Sequence, residues 1–234
     1  MASVCWKTTN KRGPLLAAAM LLCVGVLALG GCASSGPYTI ELMPAPDIYA
    51  HGGIDPFEWV EAFDEAPYRG ILYATDRAPA KADDDEFYRN KRGNLLRVGI
   101  GRLSVGREDF SWEEARKVSL LKNRSESYPL SVKSVEEIGI IERSASAFTD
   151  QALLGETPGA PRRQFIDLIN QKLAISQKRD IYIYVHGYKV IFEDPLLVAS
   201  ELWHFLGYDG VFIAYAWPST PKRLAYTSDL ETAA

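Results

Sequence analysis

Residues 181–188, Ile181-Tyr182-Ile183-Tyr184-Val185-His186-Gly187-Tyr188, decide how the chain is organised. The first five are β-branched or aromatic, a short apolar run of the kind that becomes a buried strand. Before this run, Arg163 to Lys178 carries Phe165, Ile166, Ile169, Leu173 and Ala174 at helical spacing. After it, Asp194-Pro195 supplies an N-cap and a proline at the first helical position. Leu197, Leu202, Trp203, Phe205 and Leu206 then give an apolar face, and Gly207 is placed to stop the helix. Val211 to Trp217 is a second apolar strand. Helix, strand, helix, strand within about 55 residues predicts an α/β fold, a parallel sheet with crossover helices. Open α/β sheets place ligands where loops leave the C-terminal ends of parallel strands. His186-Gly187-Tyr188 is such a loop. Glycine there lets backbone N–H groups turn toward a substrate oxygen, which acyl transfer needs because its tetrahedral intermediate gathers negative charge on that oxygen. A His-Gly pair taken alone also fits a histidine that merely caps a strand end.

Upstream the pattern is less regular. Ile71 to Thr75 reads as a first buried strand, Ala78 to Arg92 as a polar loop, and Leu95 to Val105 as a second extended stretch with Gly99 and Gly101 as bulges. Lys117 to Leu121 and Ile138 to Ile141 are further short strand candidates. Gln151 to Pro161, punctuated by glycine and proline, reads as a loop. No internal repeat is visible.

The first residues have a different character. Lys7, Lys11 and Arg12 precede an uncharged apolar run from Pro14 to Leu29, the order of a secretory n-region and h-region. The run is shorter than the roughly 20 apolar residues that span a bilayer comfortably. It ends in Leu29-Gly30-Gly31-Cys32, which resembles a lipobox. The resemblance implies a signal peptide over 1–31 and lipidation, such as palmitate, on Cys32, the mature N-terminus. An ordinary cleaved signal, leaving Cys32 as a plain thiol, is the alternative. Ala33 follows the cysteine, and by resemblance to enterobacterial sorting rules this favours the outer membrane. Residues 32–64 then read as a tether and an irregular wrap, small and polar to about Glu41 and rich in proline, glycine and aspartate from Leu42. Residues 65–234 read as the globular part.

Removing residues 1–31 takes three basic and no acidic residues, leaving 23 basic against 30 acidic, a net charge of −7. An acidic chain is a poor electrostatic match for nucleic acid or anionic headgroups. Cys5 and Cys23 leave with the signal and Cys32 takes the lipid, so no thiol remains for a disulfide, a cysteine zinc site or a cysteine nucleophile. No metal or cofactor motif is apparent.

The strand with His186-Gly187-Tyr188 is followed by Phe192-Glu193-Asp194, by Leu206-Gly207-Tyr208-Asp209-Gly210, and by a strand ending in Trp217-Pro218-Ser219, with Tyr226 and Asp229 beyond. Together these resemble the bacterial alpha/beta hydrolase family of unknown function. Leu72 to Arg77 and Val98-Gly99-Ile100-Gly101 resemble that family's first strands. By position the resemblance implies that Gly187 and Tyr188 supply an oxyanion-hole backbone and that His186 shapes their loop. The triad of this fold runs serine, acid, histidine in chain order, so His186, with no nucleophile before it, is not its histidine. The nucleophile elbow Gly-x-Ser-x-Gly is absent from the 234 residues. Ser228-Asp229-Leu230-Glu231 reads as a capping box opening another helix. The expectation is therefore an incomplete α/β-hydrolase-type sheet: the N-terminal part of the domain, with nucleophile, acid and histidine beyond Ala234. On this reading Ile181 to Val185 is an apolar edge that invites aggregation, and the chain alone is inactive.

Other candidates carry less. His51-Gly52-Gly53 has no strand before it. Asp83-Asp84-Asp85-Glu86 lacks the alternating ligands and glycine of a calcium loop. His204 reads as a surface or partly packed residue, Ser219 as a loop serine without a base, and Arg77 as a structural ion-pair partner near the site rim. Two functional expectations follow. One is a membrane-anchored lipoprotein with serine ester hydrolysis in its complete form. The other is a non-catalytic envelope lipoprotein that uses the half-sheet for binding or assembly.

Overall fold

Val211 to Tyr215 lies between two strands it parallels, and this placement organises the whole sheet. The computed structural model describes residues 37–49, 54–58, 67–84, 86–106, 110–143 and 159–220. The strands are β1 (Thr39–Glu41), β2 (Ile71–Pro79), β3 (Tyr88–Val105), β4 (Pro129–Arg143), β5 (Ile181–Val185) and β6 (Val211–Tyr215). The helices are α1 (Trp112–Ser119), α2 (Gly159–Ala174) and α3 (Glu193–Phe205). The described strands form one six-stranded sheet in the order β1-β4-β3-β2-β6-β5. β1, β4, β3 and β2 pair antiparallel. β2, β6 and β5 pair parallel. The sheet is therefore mixed, an antiparallel meander joined to a parallel α/β edge.

The parallel part follows from composition. Ile71, Leu72, Tyr73 and Val211 to Ala214 are buried on both faces of the sheet, as continuous apolar runs require. α3 packs against β6, β4 and β2, burying Leu196, Leu197 and Trp203. Gly207, at φ +68°, ends it in the left-handed region. A side chain there would also strike the carbonyl oxygen of Pro56, 2.0 Å from its Cβ position.

Several expectations need correction. Ala78 to Arg92 is not a loop throughout. β2 runs on to Pro79 and β3 begins at Tyr88, pairing Arg77 with Arg92 and Pro79 with Tyr88 through register shifts. Lys117 to Leu121 is no strand: Lys117 to Ser119 close α1, and Leu120 caps it. The deciding signal is a capping box, Ser111 with Glu114 three residues on. Ile138 to Ile141 does lie in a strand, but one that runs from Pro129 to Arg143. Gly159 to Pro161 belong to α2 and not to the preceding loop. α3 starts at Glu193 with Phe192 in the N-cap position and no side-chain cap, while Asp194 accepts a 2.7 Å hydrogen bond from Tyr38 Oη. Leu202 and Leu206, expected on its inner face, are exposed. Thr39 to Glu41, taken as tether, pair with β4 instead.

The described residues between β1 and β2 carry no regular structure apart from a 3-10 turn at Asp47–Tyr49. They are held by named bonds. Arg124 donates to the carbonyls of Leu42 (2.5 Å), Met43 (2.6 Å) and Val118 (2.9 Å). Glu201 accepts the Met43 N–H at 2.5 Å, and Asp55 pairs with Arg116. Residues 1–31, read as a signal peptide, Cys32, His51 to Gly53 and Ser228 to Glu231, read as a capping box, lie outside the described residues. Among those that are described, no helix is long and apolar enough to cross a membrane.

Candidate active-site loop

β5 and β6 run parallel, so the loops that follow Val185 and Tyr215 leave the same end of the sheet. β2 parallels β6, which brings Thr75 to Arg77 to that end as well. The loop at 186–190 is fixed from three directions.

First, His186 lies parallel to Trp217, with ring centroids 5.1 Å apart and planes inclined by 2°. Trp217 Nε1 donates to the His186 carbonyl at 2.8 Å. His186 Nε2 stands 3.1 Å from the Trp217 carbonyl oxygen, and Nδ1 stands 2.6 Å from that of Gly187. Burial lowers the His186 pKa below the ordinary histidine value, against the opposing pull of the Gly187 carbonyl. The histidine therefore shapes its loop through two main-chain carbonyls, one at each ring nitrogen.

Second, Ser219 is fully buried and serves Val190 twice. Its Oγ accepts the Val190 N–H at 3.0 Å and donates to the Val190 carbonyl at 2.8 Å. A hydroxyl so committed has no proton to give a general base. Its own loop is anchored in turn, because Thr75 Oγ1 donates to the Ala216 carbonyl at 2.6 Å and the Ala216 N–H to that of Ala74 at 2.9 Å.

Third, Arg77 reaches the loop from β2. It is fully buried and donates to the Val190 carbonyl at 2.8 Å and to Asn90 Oδ1. Its charge also opposes the burial that raises the Glu193 carboxyl pKa. Beside the ion-pair role expected of it, Arg77 braces the loop through the Val190 carbonyl. Sequence reasoning missed this because the partner is a main-chain carbonyl 113 positions away.

Within this frame Gly187 faces outward. A Cβ built on it meets nothing within 4 Å. Tyr188 holds its ring half out of the protein, and Lys189 sits at φ +64°. A non-glycine residue in the left-handed region persists where surrounding bonds over-determine it, as the Val190 contacts do here. The result is a rigid main-chain turn at the C-terminal end of a parallel strand, with open space in front of its glycine.

A second serine–histidine pair stands elsewhere. His204, expected to be a surface or partly packed residue, is buried, with Nε2 2.6 Å from Ser119 Oγ and Nδ1 2.6 Å from Tyr208 Oη. Ser119 Oγ donates to the Ala115 carbonyl at 2.6 Å. Its one proton is thereby used, so His204 Nε2 carries hydrogen and donates to the serine, while Nδ1 accepts from Tyr208. The histidine is not a base toward this serine. In the acidic run at 83–86, Asp84 is equally structural: it accepts the Lys81 N–H at 2.8 Å and pairs with Arg89 at 2.7 Å. Among the described residues no cluster of three potential metal ligands occurs.

Residues 162–234 match the family model described as alpha/beta hydrolase of unknown function (DUF900). The matched segment contains β5, α3, β6 and the braced loop. No curated protein and no solved structure matches the chain. The C-terminal third of the molecule is thus alpha/beta-hydrolase-like in both sequence and fold.

Proposed function

We propose, on the premise of that match, that the chain is the oxyanion-side part of a lipid-anchored serine ester hydrolase. The supporting observation is the braced turn. Main chain at Gly187 and Tyr188 is held rigid at the C-terminal end of β5, and the space in front of Gly187 is open. Main-chain N–H groups preorganised toward a substrate oxygen stabilise a developing oxyanion without reorganising during the reaction, and in this reading those of Gly187 and Tyr188 take that role. In this reading the nucleophile, acid and catalytic histidine come from polypeptide outside residues 1–234, seated beside β5. The substrate is an ester or other acyl compound, and no cofactor or metal takes part. Lipid on Cys32 holds the protein to a bacterial envelope bilayer, the outer membrane by the residue after the cysteine.

The experiment uses the gene product as its own cell makes it, including whatever is encoded after codon 234. It is extracted in detergent and treated with a fluorophosphonate probe and p-nitrophenyl butyrate. The expected result is labelling of one serine outside 1–234 together with ester hydrolysis. Tyr188→Pro, which deletes one N–H, should lower kcat by about 10²–10³-fold, while Gly187→Ala, with room for its methyl, should retain the fold. Absence of both labelling and hydrolysis would overturn the enzyme reading. Incorporation of an alkyne-palmitate label that Cys32→Ser abolishes tests the anchor.

One observation favours a second reading. β5 is the outermost described strand, and Ile181, Ile183 and Val185 are 48%, 63% and 57% exposed. An apolar edge of this kind suits a non-catalytic module that binds or assembles through strand addition.

A further inference from the structure

The opposite end of the sheet holds a cavity that the hydrolase reading does not use. Gly70 at the start of β2, Arg102 to Val105 at the end of β3, and Leu130 and Lys133 at the start of β4 border it. The C-terminal half of α3 closes it. The antiparallel register makes these the strand ends remote from Gly187. Its volume is about 370 Å3, within the range of small-molecule sites. It continues into a wider groove of about 750 Å3 that shares Leu103, Val105 and Lys133 and reaches α1.

The lining is polarised. The inner wall is buried and apolar, with Leu42 at 8%, Leu130 at 3% and Trp203 at 3% exposure. The mouth carries three exposed cations, Arg69, Arg102 and Lys133. Arg102 already pairs with Glu136 at 3.0 Å, a surface pair that exchanges partners at little cost. Lys133 has no ion pair among the described residues. The one lining carboxylate, Glu201, is buried, held by the Met43 N–H, and raised in pKa by burial. Among the described residues the lining contains no exposed acidic residue. An apolar interior behind a cationic mouth selects a ligand with an aliphatic body and one anionic head.

The geometry points to a binding site for a free medium-chain carboxylate, its tail against Leu42, Leu130 and Trp203 and its carboxylate at Lys133. The site is independent of any chemistry at Gly187, and its failure leaves that reading untouched.

The test is calorimetric titration of the detergent-free protein with decanoate below its micellar concentration, with decanol and acetate as comparisons. Decanoate should bind one per chain and raise the melting temperature. Decanol should bind at least about tenfold more weakly, and acetate should not bind. Lys133→Glu, an exposed change, should weaken decanoate several-fold and leave the unliganded melt unchanged. Leu103→Trp, which fills the half-buried wall, should abolish binding. Equal affinity for decanol, indifference to Lys133→Glu, or no heat at all would each overturn the proposal. So would binding to phosphatidylglycerol vesicles without binding of free decanoate, which would assign the mouth to a membrane surface.

Discussion

The imidazole of His186 and the indole of Trp217 stack in parallel, and the indole N–H closes on the main-chain carbonyl of the histidine itself. Two loops that leave adjacent parallel strands are thereby locked as one unit. Trp217→Phe keeps an aromatic ring but strands a buried carbonyl, at a cost of about 1–3 kcal/mol. Urea unfolding should show that loss. Because the residues touch, the double variant with His186→Ala should be less destabilised than the sum of the two single changes by at least about 0.5 kcal/mol. Additive effects would show that the stack carries no coupling.

His204 gives the protein an acid limit. Burial lowers its pKa from 6.5 to about 4. The folded state therefore holds the ring neutral where the unfolded chain begins to protonate it. This contribution is fully present above pH 6.5 and is lost progressively as the pH falls toward 4, at up to about 1.4 kcal/mol per pH unit. Urea midpoints measured from pH 7.5 to 4.5 should fall along this slope. His204→Gln, weaker at neutral pH, should show a flatter profile over the same window.

Two glycines at opposite ends of the sheet should respond in opposite ways. Gly207→Ala meets both the left-handed backbone and the Pro56 carbonyl, and should lower stability by more than about 1 kcal/mol. Gly187→Ala meets nothing within 4 Å, and should leave the melting temperature within a degree or two, by a surface change of about ±0.5 kcal/mol. Thermal melts of the two variants side by side distinguish steric from functional demand for glycine.

The exposed β5 edge should limit solubility. Ile183→Lys adds charge at the most exposed of its apolar positions, as natural edge strands do. Light scattering at increasing concentration should show less aggregation than the parent chain, with an unchanged unfolding midpoint. Unchanged scattering would mean that the edge does not drive association.

The parallel half was legible because its strands read as unbroken apolar runs, although only β2 and β6 are buried on both faces and β5, expected to be buried, exposes Ile181, Ile183 and Val185. Ile181 to Val185 was placed at its observed limits, and Val211 to Trp217 overran by only two residues. The meander was not legible. β3 and β4 are long, twisted by register shifts, and half exposed, so Arg89 to Arg92 looked like a loop when seen without their partners. α1 was hidden because Val118 and Leu120 suggested a strand, whereas the decisive pair, Ser111 and Glu114, lay upstream. At the site, the turn was visible from His-Gly after a strand. Its braces were not, because Arg77 and Ser219 act on main-chain atoms that no side-chain pattern announces. Burial of His204 depends on Ser119 and Phe57, both remote in sequence.

Arg124 and Glu201 have a mechanical meaning. A pull applied at Thr39 first loads β1, which is three residues long and, among the described strands, paired on one side only. That strand can peel away bond by bond. Beyond it the force meets Leu42 and Met43, whose main chain is gripped by a guanidinium from below α1 and a carboxylate from α3. Those bonds must break together. The fold therefore has a yielding leader followed by a stop, so that tension on the leader is arrested before it reaches the strands that carry the His186 turn.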